Sequence, residues 1–457
     1  MATKRPRVLR FDVPYTHSPP PMTSPSVGIE RVMPPGASAE FTEVTIIDTP
    51  DNRLLRAGVV VAHRLADGRG EWYLAGPGWV PRLPEEEVLP VDASGDLPED
   101  FARLVHPITR GATLGPVAAM SNERREFTLM DAERDPLAMV QDDKVTVRRD
   151  GVTTARYRET SVTPSNRLTP QQREFIVSSM ASASATAVGE FPSLQQRLGP
   201  PATGLSDFPE PAVLRRGATM EEFASEIFAG DLRELIYALL DLTAADPASV
   251  ARINCLTDAI LADVRGMAHV LEPAWREGIE ALLGGEPPQE WAPARQRACE
   301  LAEALVVATR APKLGEASQQ PAGELLGRRA EQAATVCIER CRALSPEAPE
   351  EHWRSALAAT EQLLATVRVS EAVLGKPARK LARRITGSAE GLRVCVGAAP
   401  DPGLSLEGLD VTEAFELGRT LERRRAGIHR SRARFTAELP DRLAEIRRGL
   451  TKLGRAT

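Results

Sequence analysis

Ile47-Asp48-Thr49-Pro50-Asp51-Asn52-Arg53-Leu54-Leu55-Arg56-Ala57-Gly58 lies between two segments that read as strands, Glu43 to Ile47 and Gly58 to His63. Asp, Pro, Asn and Gly punctuate it, and each favours a turn over a continued strand. The same grammar continues at Glu71 to Leu74, Glu126 to Met130, Lys144 to Arg148 and Ala155 to Glu159. Asp67-Gly68 and Asp150-Gly151 sit between such segments as hairpin turns do. Antiparallel strands at this spacing predict a barrel or a sandwich. Pro170 to Gly189 then reads as a helix, with Thr169 as N-cap and Pro170 at the first helical position.

The grammar changes after a Pro/Gly-rich stretch, Leu198 to Pro211. Beyond it, Phe223, Ile227, Leu232, Leu235, Ile236 and Leu239 recur near the helical period between Met220 and Leu242. A helix starting at Asp246-Pro247 can run to about Ala281. Further helices are expected over Pro293 to Arg310, Gly323 to Leu344, Glu350 to Leu374, Pro377 to Val396 and Val411 to Leu453. The expected organisation is a β-rich domain over 1–197, a linker over 198–212 and a helical domain over 213–457. The fold class is therefore α+β, multidomain: an antiparallel β-barrel followed by an all-α bundle.

Composition narrows the function classes. The 457 residues carry a net charge of −6, which gives no global attraction to nucleic acid or to an anionic membrane. Neither a membrane partner nor sequence-specific nucleic-acid binding is expected. The basic opening, Met1 to Arg7, leads into no apolar run, so a secretory signal is not expected and the location reads as cytoplasmic. Five scattered cysteines fit reduced thiols, and the Cys337/Cys341 pair lacks the further Cys or His a metal site would need. His63, His106, His269, His352 and His429 show no spacing that suggests a metal or a triad.

Several stretches resemble the CYTH family, the triphosphate tunnel metalloenzymes. The turn from Ile47 to Gly58 is similar to that family's Tyr-Asp-Thr-Pro-Asp turn, and Leu137-Ala138-Met139-Val140-Gln141-Asp142-Asp143 resembles its Leu-Ala-Glu-Val-x-Asp-Asp segment. Arg7-Val8-Leu9-Arg10-Phe11-Asp12-Val13-Pro14 resembles the family's opening strand, whose Glu-x-Glu-x-Lys signature holds a divalent metal. The resemblance, aligned on Phe11, places Pro6 and Val8 where the glutamates belong and Arg10 at the lysine. Neither proline nor valine offers oxygen to a hard cation.

The resemblance implies further losses. Ala62 and Ala75 stand at basic positions, Glu85-Glu86-Glu87 replaces a run that is usually Arg-Thr-Glu, and Met139 replaces a glutamate. The closing Glu-x-Glu-x-Glu strand survives only as Glu159, followed by Ser161 and Thr163. Arg64, Arg124 and Arg125 remain as candidate anion contacts, and Asp142 and Glu159 as the metal-site candidates. The expected function is a catalytically silent CYTH homologue that binds a partner, with no cofactor. The alternative is a residual metal-dependent triphosphatase acting on inorganic triphosphate, polyphosphate or nucleoside triphosphates. It would use Mg²⁺ or Mn²⁺ on shifted carboxylates such as Glu43, Asp142 and Glu159.

The helical half resembles the CHAD domain, a helical domain with an internal repeat that is often fused behind CYTH. Val373-Leu374-Gly375-Lys376-Pro377-Ala378 and Phe415-Glu416-Leu417-Gly418-Arg419 carry that likeness. Its histidine position falls on Ala251, its following arginines on Asn254 and Asp258-Ala259, and Arg265 persists. The resemblance implies a basic face for polyphosphate, because a polyanion needs a row of cations. Residues 371–457 hold 18 Arg and Lys against 11 Asp and Glu. Lys376, Arg379, Lys380, Arg383, Arg384, Arg423, Arg424 and Arg425 are the candidate face. A protein assembly is the expected partner, with polyphosphate as the second.

Overall fold

The structure is a computed structural model that describes residues 7–18, 20–34, 39–66, 68–91, 95–215, 217–396 and 411–455. Pro6 and Asp67, both singled out in the sequence, lie outside the described residues. The chain divides into two compact units, Met1–Asp207 and Phe208–Thr457.

The first unit is built on β1 (Leu9–Val13), β2 (Arg31–Met33), β3 (Glu40–Asp48), β4 (Val60–Ala66) and β5 (Arg69–Ala75). It continues with β6 (Glu87–Pro90), β7 (Gly115–Met130), β8 (Pro136–Arg149), β9 (Val152–Pro164) and β10 (Thr186–Val188). They form one antiparallel sheet of ten strands, ordered β10-β1-β9-β8-β7-β3-β4-β5-β6 with β2 beside β7. No ladder joins β6 to β10 among the described residues, so the ladders make an open sheet rather than the closed barrel expected. Both ends are short strands, which limits the edge left unpaired. At the β8–β9 hairpin, Asp150 and Gly151 have φ of 48° and 77°, the pair of positive values a two-residue turn requires.

Among the described residues four α-helices accompany the sheet: α1 (Arg53–Arg56), α2 (Glu99–Thr109), α3 (Pro170–Ser182) and α4 (Leu194–Leu198). A capping box, Thr169 with Gln172, starts α3 where the sequence places it. The helix stops at Ser182 instead of Gly189, because Ser184 turns left-handed (φ 58°) and Thr186–Val188 pairs with β1 as β10. One face of the sheet packs on α3: Phe11, Val13, Leu129, Val140 and Val162 bury against Ile176 and Met180. The opposite face packs on α4: Ile46, Ala62, Ala118, Val145 and Val147 bury with Leu198 and Ala202. Part of the stretch expected to be a linker is thus core, and Asp207 is buried between Arg56 (3.0 Å) and Arg110 (2.6 Å).

The second unit is helical throughout its described residues apart from turns and one isolated bridge, Thr219 to Pro321. Its helices are α5 (Met220–Asp241), α6 (Ala248–Gly266), α7 (Pro273–Leu283), α8 (Trp291–Arg310) and α9 (Ala322–Arg342). They continue as α10 (Glu350–Val369), α11 (Glu371–Leu374), α12 (Lys376–Val396) and α13 (Val411–Leu453). The single helix expected from Asp246 to Ala281 is two, because the chain turns between Gly266 and Pro273. Trp353 is fully buried among α9, α10, α12 and α13, edge-on to Phe435 at 6.0 Å with the Arg432 guanidinium 5.0 Å from its ring. Helices α6 and α10 approach closely at Gly266, where an added Cβ would meet the Ala365 carbonyl oxygen at 2.7 Å.

Candidate functional site

The stretch that reveals the fold is occupied with holding itself together. Asp48, fully buried, accepts from the amides of Thr49 (2.6 Å), Leu54 (2.9 Å) and Leu55 (2.9 Å), so its carboxylate caps α1. Burial pushes its pKa up even against those three amides. Asn52 takes the left-handed conformation (φ 57°) and Gly58 follows at 73°. Trp79 closes the turn by donating to the Ala57 carbonyl at 2.8 Å. These residues fix architecture, which explains why they stand out in the sequence; the Asn52 Oδ1 that lacks a hydrogen-bond partner is itself buried.

The α4 face of the sheet carries the charges that matter. Strand register aligns Asp12 of β1, Glu159 of β9, Asp143 of β8 and Arg124 of β7 in one row across four strands. Side chains opposite one another in such a row share a face. Asp143 accepts from Arg124 (2.8 Å), Asn122 (3.1 Å) and Gln141 (2.6 Å). Glu159 accepts from Arg197 of α4 at 2.7 Å, and that guanidinium also lies 4.0 Å over the Tyr157 ring. Burial first, then Asp143 and Asp12, push the Glu159 carboxyl above its usual range while Arg197 pulls it back. Burial and Glu159 push the Tyr157 hydroxyl up to about 12.

Helix α4 is placed by its own sequence. Ser193 and Gln196 form a capping box, Leu194 and Leu198 enter the apolar cluster, and Gln195 donates to the Leu55 carbonyl at 3.2 Å. This leaves Arg197 facing the Glu159 carboxylate. Among the described residues no group of three or more His, Cys, Asp or Glu is arranged to hold a metal ion. The Asp12–Glu159–Asp143 row does not fit one as it stands, because Asp143 is committed to three donors and Glu159 to Arg197.

The residues singled out in the sequence do not converge. Glu43 and Asp142 lie on the opposite sheet face from Glu159, as alternation along β3 and β8 dictates. Asp142 is held by Arg158 through two contacts of 2.7 Å and by Thr160 at 2.8 Å, which makes it a structural ion pair. Arg125 points away from Arg124 and bonds Glu123. Arg64 is on the α4 face, paired with Glu71 at 2.9 Å and stacked 4.1 Å over Tyr73. Asp12, Asp143 and Arg197 were not among the sequence's candidates: alternation from buried Phe11 sends Asp12 to the other face, whereas only the β8–β9 register separates Asp143 from Asp142. Nothing in the local sequence announces Arg197.

In the helical unit the expected basic face is split. Lys376, Lys380 and Arg384 line a cleft of about 160 Å³ between α12 and α13, together with Lys452. Arg379 turns aside to Glu371 at 3.3 Å, and Arg383 is exposed outside that cleft. Arg424 and Arg425 line a separate cleft of about 510 Å³ with Glu347, Glu350 and His429, whereas Arg423 is exposed outside it. Cys337 and Cys341 are buried near the Thr360 hydroxyl, at 3.3 and 3.9 Å.

No family model matches the chain, and no curated protein matches it. Solved structures with likeness include an adenylate cyclase candidate from Bacillus halodurans, 14% identical, spanning 37% of this chain and 96% of that one at a TM-score of 0.22. A Pyrococcus horikoshii protein is 12% identical over 42% and 95% of the two chains, with a TM-score of 0.23. An adenylyl cyclase candidate from Hippeastrum, described as having a dominant triphosphatase activity, is 10% identical over 41% and 91%, also at 0.23. Likenesses at this level assign neither family nor activity to this chain. Among the described residues no helix is long and apolar enough to cross a membrane.

Proposed function

We propose that this is a catalytically silent binding or scaffold protein whose sheet unit holds a face that an enzyme of the triphosphate tunnel kind would leave open. One observation carries the reading: the central carboxylate of the row, Glu159, is neutralised by the chain's own Arg197. A phosphoryl-transfer site needs carboxylates free for metal and cations free for phosphate. Here Arg124, Arg64 and Arg197 each have an acidic partner inside the unit. The occupant of the protein's remaining surface is proposed to be a protein partner, with polyphosphate as the lesser option.

The test is an assay with inorganic triphosphate and nucleoside triphosphates in Mg²⁺ or Mn²⁺. Silence is the expected outcome; metal-dependent phosphate release that disappears in Glu159→Gln overturns the reading. A second reading, residual triphosphatase activity, is favoured by the Asp12–Glu159–Asp143 row itself. Arg197→Ala distinguishes the two, because it frees Glu159. Activity that appears or increases in that variant supports the second reading.

A further inference from the structure

Lys376, Lys380 and Arg384 recur every four residues along α12, so they share one helix face. That face looks onto the end of α13, where Lys452 closes the other side of the 160 Å³ cleft. The floor is apolar and tight: an added Cβ on Gly449 would meet Leu381 Cδ1 at 2.6 Å, so a larger residue there would have to push that leucine aside. Four cationic side chains and no carboxylate line the cleft. None of the three lysines has an acidic partner among the described residues, and Arg384 donates only to the Glu445 backbone carbonyl, at 3.4 Å. Arg379, one helical position round, has found Glu371 and stands outside the cleft.

Four like charges gathered at one concavity repel one another, and a folded surface normally intersperses them with carboxylates. We propose that this cleft is a binding site for a compact phosphate-class polyanion, with pyrophosphate as the ligand of best size and charge. The lysines supply the point charges, and Arg384 supplies a planar fork for two oxygens. The volume suits a small anion seated between two helices rather than a polymer running along them. The site belongs to the helical unit alone and does not depend on the sheet unit's being silent.

The experiment is calorimetric titration of the full chain with inorganic pyrophosphate, inorganic phosphate and long-chain polyphosphate, each at low and at raised salt. Phosphate release is measured in the same samples. Saturable binding of one pyrophosphate per chain is expected, weaker as salt rises. The double variant Lys380→Glu/Arg384→Glu is expected to bind at least about tenfold more weakly, with an unchanged circular dichroism spectrum. Arg423→Glu/Arg424→Glu/Arg425→Glu, on the far part of α13, is expected to bind as the native chain does. Should the double variant unfold, Lys452→Gln at an exposed position must show the loss instead. No saturable binding at low salt overturns the proposal, as does binding of long chains only. Equal loss in both multiple variants overturns it too, since that marks a diffuse basic surface. Pyrophosphate that is bound and also hydrolysed would sink the silent reading of the sheet unit while leaving this site intact.

Discussion

Asp142 in the sheet unit and Asp231 in the helical unit are both carboxylates withdrawn from water, and they are treated in opposite ways. Asp142 faces two nitrogens of Arg158 and the Thr160 hydroxyl, so its charge is cancelled where it sits. Asp231 has a buried Oδ2 with no hydrogen-bond partner, and Asp263 and Glu234 add repulsion to the cost of burial. The sheet unit closes charges such as Asp142, Asp143, Glu159 and Asp207 into ion pairs within the unit. The helical unit keeps an acidic cluster on α5 and α6, in which Arg368 acts as a counter-charge on Asp263. Stability in the first should hang more on individual pairs, and in the second more on pH, although burial raises Asp48 and Glu159 of the sheet unit as well.

The sharpest way to break the contrast is Arg158→Leu. Leaving Asp142 buried without its partner should cost about 3–5 kcal/mol of the sheet unit's stability, read from urea unfolding. A loss under about 1 kcal/mol would mean that Asp142 regains water easily and that the pair is not what separates the units.

The pH arm comes next. Burial raises the Asp263 carboxyl to about 6 from 3.8, while Arg368 pulls the other way. The folded unit therefore binds more protons than the unfolded chain between those values, and its stability falls as pH climbs from about 4 through about 6. By linkage the effect is at most about 3 kcal/mol for this group. Asp231 shifts in the same direction, so it adds to the slope. Unfolding followed at pH 5 and pH 7.5 should show the helical unit more stable at the lower value, and Asp263→Asn should flatten the difference. A helical unit no less stable at pH 7.5 would remove the contrast.

Smaller effects sharpen it. Arg197→Ala removes one charge-assisted bond and one cation–π contact, expected to cost about 1–2 kcal/mol. The Glu159 carboxyl should then titrate still higher, observable by carbon-13 NMR of the labelled side chain. Arg125→Ala breaks a pair whose arginine side chain is 54% exposed, and a change of no more than about 0.5 kcal/mol is expected. A larger loss would show that solvent-side pairs, too, hold the sheet.

Turn residues and helical periodicity made the two-unit plan legible. Asp150-Gly151, Thr169-Pro170 and the apolar recurrence from Phe223 to Leu239 each act within a few residues, so the local sequence carries their signal. What depended on register was lost. Adjacent residues such as Arg124 and Arg125, or Asp142 and Asp143, look equivalent in sequence, yet the pleat sends them to opposite faces. Sheet closure and β10 were equally hidden, because three residues after a left-handed serine give no periodicity to read. Arg197 illustrates the remaining gap: its partner is 38 positions away, and only the packing of Leu194 and Leu198 delivers it there.

The seat that Arg197 takes beside Glu159 makes the protein its own competitor. A visitor to that face contends with a rival tethered by the chain, whose local abundance no dilution lowers. The visitor's apparent affinity is its intrinsic affinity multiplied by the fraction of time the helix stands aside. Whatever lifts α4, even slightly, therefore acts as a gain control on the whole face, and a single side chain sets the dial.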